Sequence, residues 1–167
     1  MLKIILNPDP ILKERMPEFD FENPIMDPKE LEREMLEIMF ANNALGLSAN
    51  QVGVKTRMFV MGDKRNFLMA KAYFNPKIIA NTTDMQDLEE GCLSFPGIYV
   101  KIKRPSAIKV EYQNSKGDTE VSEFRGYDCK CFLHEYDHLE GITFQDRISQ
   151  LKWALAVKKS TQKRKYK

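Results

Sequence analysis

The chain has 167 residues, with 26 basic against 24 acidic side chains and a hydrophobic fraction of 43%. That length suits one domain with a sizeable core, and the formal charge of +2 is too small to make nucleic acid, DNA in particular, the main partner. Three cysteines, two of them at positions 129 and 131, make a poor disulfide framework and fit reduced thiols in a cytoplasmic compartment.

The first 26 residues open with a short apolar run that stops at Asn7-Pro8. This is too short for a secretory leader, and no later stretch has the length of a membrane span. The rest of the segment is punctuated by prolines and reads as extended loop. Asp27-Pro28 predicts a helix start, with Asp27 as cap and Pro28 at the first helical position. Leu31, Met35, Ile38, Met39 and Asn42 then share one face, and the helix ends near Asn42-Asn43. Gly46–Gly53 follows as a small-residue segment that carries the amide of Gln51. It lets a substrate backbone come close and lets Gln51 donate to a developing oxyanion, or it is simply a turn after the helix.

Arg57–Met61 and Lys71–Phe74 read as short strands. Ala107–Tyr112 alternates apolar and charged residues, and the turn at 114–118 returns the chain through Glu120–Phe124 as a hairpin. From Asp128 to Leu139 the period becomes helical, with Gly141 placed to stop the helix. A second short helix spans roughly Ile148–Lys159. The expected fold is α+β: antiparallel β-sheets around a central helix that carries the chemistry. Residues 1–149 form a single catalytic domain, and residues 150–167 a basic C-terminal helix or tail. After Asp146 every charged residue is cationic, from Arg147 through Lys152, Lys158 and Lys159 to Lys163, Arg164, Lys165 and Lys167. That run meets an anionic surface such as RNA, or is a solvated terminus.

The sharpest local signal is His134-Glu135-Tyr136-Asp137-His138. Residues four apart on a helix project from one face, so both imidazoles can bind one metal ion, with Glu135 beside them as general base. The chain's two histidines are both in this motif. A catalytic site normally takes three protein ligands and leaves a fourth position for water. No histidine remains, and Glu140 follows His138 on the wrong face, so the candidate lies upstream: Cys92, in Glu90-Gly91-Cys92-Leu93-Ser94-Phe95-Pro96-Gly97. On local evidence alone a lone cysteine is equally a small buried hydrophobe.

Taken together, these segments resemble the peptide deformylase family. The Ala44–Gln51 loop, the Glu-Gly-Cys-Leu-Ser run at 90–94 and the His-Glu-x-Asp-His-Leu helix at 134–139 occur in the family's order, and Leu6–Leu12 is similar to its opening. This chain departs from the usual pattern at Ala44, Ser48 and Leu133, where the family commonly has Gly, Ala and Gln. The resemblance implies removal of the N-formyl group from the initiator methionine of new polypeptides. It implies one divalent metal on Cys92, His134 and His138, generally Fe(II), with zinc, nickel or cobalt able to occupy the same ligands. Glu135 becomes the general base, and Gln51 and the Leu93 backbone N–H the oxyanion donors. Leu45, Leu88, Tyr127, Cys131 and the stem of Glu90 become candidates for the methionine pocket, and Gly46 and Gly97–Tyr99 for backbone pairing with substrate. The implied partners are N-formyl-methionyl peptides and, through the basic tail, the ribosome. Such a protein belongs in a bacterial cytoplasm, or in an infected host if virus-encoded. A zinc endopeptidase built on the same helix, and an inactive homologue that binds nascent chains or ribosomes, are the alternatives.

Overall fold

The computed structural model describes residues 2–63 and 66–165; Met1 and Lys167, to which the N-terminal and tail expectations extend, lie outside the described residues. Helix α1 (Pro28–Ala41) begins as expected, with the Asp27 carboxylate accepting from the N–H groups of Lys29 and Glu30 at 3.0 Å each. Its buried face, Leu31, Met35 and Met39, packs against Leu47, Met58 and Phe74 of the main sheet.

Among the described residues seven strands run in chain order as β1 (Gly46–Ser48), β2 (Met58–Asp63), β3 (Asn66–Asn81), β4 (Met85–Gly91), β5 (Tyr99–Pro105), β6 (Ala107–Gln113) and β7 (Thr119–Arg125). Five make one antiparallel sheet in the order β1-β2-β3-β6-β7, and β4 and β5 make a separate antiparallel pair. The β6–β7 hairpin matches its alternating pattern, with Val110 opposite Ser122. Strands β2 and β3 run well past their apolar kernels. The β4–β5 pair was not anticipated. Its first strand, Met-Gln-Asp-Leu-Glu-Glu-Gly, carries little apolar residue, and its one fully buried side chain is an acid, Glu90. The N-terminal segment contains one 3₁₀ turn, Pro10–Lys13, capped by Asp9.

Helix α2 (Gly126–Leu139) lies between the sheets. Phe132 and Leu139 enter the core formed with Phe59, Tyr73, Ile108 and Val110. Phe132 meets Phe59 edge to face at 4.9 Å. Gly141 closes the helix at φ +70°, and a Cβ there would stand 2.5 Å from the Lys13 carbonyl oxygen, so only glycine fits. Helix α3 (Gln150–Lys165) starts later and runs longer than its pattern suggested. It is anchored by Trp153, whose ring sits edge to face 5.7 Å from Phe95 and 5.6 Å from Phe144. Among the described residues no helix is long and apolar enough to cross a membrane.

Candidate active site

Helical spacing places His134 and His138 on one face of α2, with ring centroids 5.1 Å apart. The end of β4 carries Cys92 to them. The Cys92 Sγ, already 3.3 Å from His138 Nε2, and one ring nitrogen from each histidine all lie within 4.8 Å of one another. Tetrahedral coordination by one thiolate and two imidazoles puts ligand atoms about 3.5 Å apart. The three side chains therefore already stand close to the spacing a divalent ion needs, and a soft sulfur with two imidazole nitrogens is a donor set for a first-row transition metal.

The histidine orientation is set from behind. His134 Nδ1 lies 2.8 Å from Glu90 Oε2. A carboxylate only accepts, so Nδ1 carries the proton and Nε2 keeps its lone pair for a metal. Glu90 is 2% exposed and also receives Arg104, through Nε to Oε1 at 2.5 Å and Nη2 to Oε2 at 3.0 Å. Burial would raise its carboxyl, but the His134 and Arg104 bonds prevail and hold it down at about 2. Arg104 Nη1 continues to Asp137 Oδ2 at 2.9 Å, and Arg147 Nε donates to that same oxygen at 2.9 Å. One chain of charge thus ties β4, β5, α2 and the turn before α3 together. Arg104 carried no signal in the sequence, and Arg147, the first residue of the cationic run, pairs with Asp137. Glu90 had been assigned to the substrate pocket by its stem. It lines the cavity, but its carboxylate belongs to this network.

Glu135 is 4% exposed. Burial pushes its carboxyl above the ordinary range. Ser48 Oγ lies 2.8 Å from Glu135 Oε2 and 3.0 Å from the Glu135 carbonyl oxygen. Strand β1 passes so close that a Cβ on Gly46 would stand 2.5 Å from Glu135 Oε1. After β1 the chain makes a 3₁₀ turn, Ala49–Val52, that aims Gln51 inward. The Gln51 Oε1 accepts from the Ser48 N–H at 2.9 Å, which fixes the amide orientation. Its Nε2 then donates toward Cys92 Sγ at 3.3 Å and Ser94 Oγ at 3.1 Å.

A cavity of about 450 Å³ opens over these groups. Of the sequence candidates, Gln51, Leu93, Cys92, His134 and Glu135 line it, as do Leu45, Gly46, Glu90, Gly97, Tyr99 and Cys131. His138 sits behind Cys92 at 1% exposure. Leu88 and Tyr127 are not in the lining. Leu88 lies two residues before Glu90 on β4, and Tyr127 one turn before Cys131 on α2. Tyr127 is 66% exposed. Ile98, within the Gly97–Tyr99 candidate span, lines it too, while Asn42, Asn43, Ala44, Gly91, Pro96 and Lys130 also border the cavity and were not among the candidates.

Residues 1–154 match the family model for polypeptide deformylase. A peptide deformylase of Thermotoga maritima is 42% identical over 160 residues, covering 95% of this chain and 94% of the relative. The crystal structure of a Thermotoga maritima peptide deformylase superposes with a TM-score of 0.82 at 38% identity, covering 89% of this chain and 98% of that one. A Synechococcus elongatus peptide deformylase in complex with actinonin superposes with a TM-score of 0.87 at 29% identity, covering 96% of this chain and 86% of that one. With its three motifs gathered around one cavity and its similarity running nearly end to end, this chain belongs to the peptide deformylase family.

Proposed function

We propose that this protein hydrolyses the N-formyl group from the initiator methionine of nascent polypeptides, releasing formate. The observation that carries the reading is the convergence of the Cys92, His134 and His138 ligand atoms within 4.8 Å, beside a buried Glu135 at the cavity floor. A divalent ion held there supplies Lewis acidity, polarising the formyl carbonyl and lowering the pKa of a water. Glu135 takes the proton of the attacking water and passes it to the departing amide nitrogen. Burial supports the second half of that role, because it favours the protonated carboxyl. Gln51 Nε2 and the Leu93 N–H serve the developing oxyanion, Gln51 giving up its long 3.3 Å contact to the Cys92 sulfur. Leu45, Cys131 and the Glu90 stem receive the methionine side chain, while Gly46 and Gly97–Tyr99 offer backbone to the peptide.

Iron(II) is the proposed native metal, with zinc, nickel and cobalt as competent substitutes for the same ligands. A cytoplasmic location suits formylated nascent chains and three unpaired cysteines. Residues 1–149 form the proposed catalytic domain. Helix α3, with Lys152, Lys158 and Lys159 exposed, is the proposed ribosome contact. Because Trp153 also anchors that helix, charge reversal at the three lysines with ribosome co-sedimentation is the fitting test, and unchanged co-sedimentation rejects the contact. The endopeptidase and inactive-homologue alternatives gain no support from the relatives. Fe(II)-loaded protein, incubated anaerobically with formyl-Met-Ala-Ser, should release formate and leave Met-Ala-Ser intact. Internal cleavage, or no formate, would reject the proposal.

A further inference from the structure

Among the described residues that line the cavity, Lys130 is the one lysine or arginine. It stands four residues before His134, on the same face of α2 and about 6 Å away along the helix axis. The stem is half-buried in the cavity wall, next to Cys131. The ammonium group rests on neutral partners: it donates to the Glu89 carbonyl oxygen at 3.0 Å and sits 5.0 Å from the centroid of the Tyr127 ring. The anionic lining residues are deeper. Glu90 is already ion-paired with Arg104 and hydrogen-bonded by His134, and Glu135 is held by Ser48 at the floor. The cavity wall therefore carries a cationic side chain that no step of deformylation uses.

An extended peptide advances about 3.3 Å per residue. With the formyl group at the metal ligands, the second and third residues of the substrate pass within reach of a charge one helical turn away. We infer that Lys130 is a specificity-determining residue, which makes the enzyme favour formylated peptides with an acidic side chain at the second or third position. The inference rests on the deformylase reading above. Because the ammonium is half-exposed, the effect is modest and sensitive to salt, about threefold in kcat/KM at low ionic strength.

The test uses Fe(II)-loaded protein and C-terminally amidated peptides, so that no terminal carboxylate competes. Formyl-Met-Asp-Ser is compared with formyl-Met-Asn-Ser, and formyl-Met-Ala-Asp with formyl-Met-Ala-Asn. The wild-type enzyme should prefer aspartate about threefold in one of the pairs, and the preference should fade at high salt. Lys130→Met keeps the apolar stem and should abolish the preference; Lys130→Glu should invert it. Equal rates for both members of each pair, or an unchanged preference in Lys130→Met, would overturn the inference while leaving deformylation standing. Absence of formate from every peptide would overturn the deformylase reading itself.

Discussion

Replacing Arg104 with methionine probes what holds the histidine-bearing helix in place. The side chain fills a similar volume but leaves Glu90, whose side chain is 1% exposed, without the two guanidinium bonds that keep it charged. Removing one member of a buried ion pair costs about 3–5 kcal/mol, because the partner charge remains buried. For a chain of this size each kcal/mol lowers the melting temperature by about 2–4 °C, so the loss should be about 6–20 °C at pH 7. The pH dependence has a definite sign. Glu90 is held down at about 2 in the folded protein against an ordinary 4.5, so its stabilisation is complete above pH 4.5 and is lost as pH falls toward 2. The deficit of Arg104→Met should therefore be largest near neutral pH and shrink as pH falls, because the buried, unpaired carboxyl takes up a proton already above its ordinary value and the wild-type stabilisation itself is lost below pH 4.5. Thermal melts of metal-free wild type and variant between pH 7 and pH 3.5 measure this without interference from metal loss. A deficit below 2 °C at pH 7, or one that stays constant down to pH 3.5, would refute the assignment of Glu90 and Arg104 as a stabilising pair. Because Glu90 also orients His134, metal affinity in the variant should fall about 10- to 100-fold.

Other outcomes are equally specific. Glu135→Ala should keep full metal content and lose about 100-fold or more in kcat; an active variant would remove Glu135 as the base. Gly46→Ala forces a methyl against Glu135 Oε1, so formate release should drop sharply while metal content holds; an unchanged kcat would mean that β1 yields easily there. Trp153→Ala should destabilise by about 2 kcal/mol and expose α3 to protease, since the ring is half-buried against Phe95 and Phe144; unaltered proteolysis would mean the helix is held elsewhere.

The parts that were legible in the sequence are those where one local period decides. His134 and His138 needed only the pitch of a helix, and α1 and the β6–β7 hairpin needed a cap and an alternation. Strand β4 was hidden because its one buried position is an acid whose compensating cation, Arg104, lies fourteen residues later on the partner strand, although β5 itself alternates buried Val100 and Ile102 with exposed Lys101 and Lys103. Period counting treats such an acid as solvent-facing. Cys92 is a related case. Its own neighbours suit a buried thiol equally well, and only the end of β4, running up to α2, brings its sulfur to 3.3 Å from His138. Leu88 and Tyr127 rest on position in the family pattern, which carries no depth, and a lysine in an amphipathic helix, such as Lys130, reads as solvated. Ser48 stood out only as a departure from the family pattern, and its contact with Glu135 needs β1 laid against α2.

The central claim is that Cys92, His134 and His138 hold one catalytic metal ion. Metal content and formate release measured together on anaerobically purified protein test it most directly. The account predicts up to one divalent ion per chain, turnover of formyl-Met-Ala-Ser in proportion to occupancy, and loss of both in Cys92→Ala. A fully metallated protein that releases no formate, or a Cys92→Ala variant that keeps its metal and its activity, would contradict it.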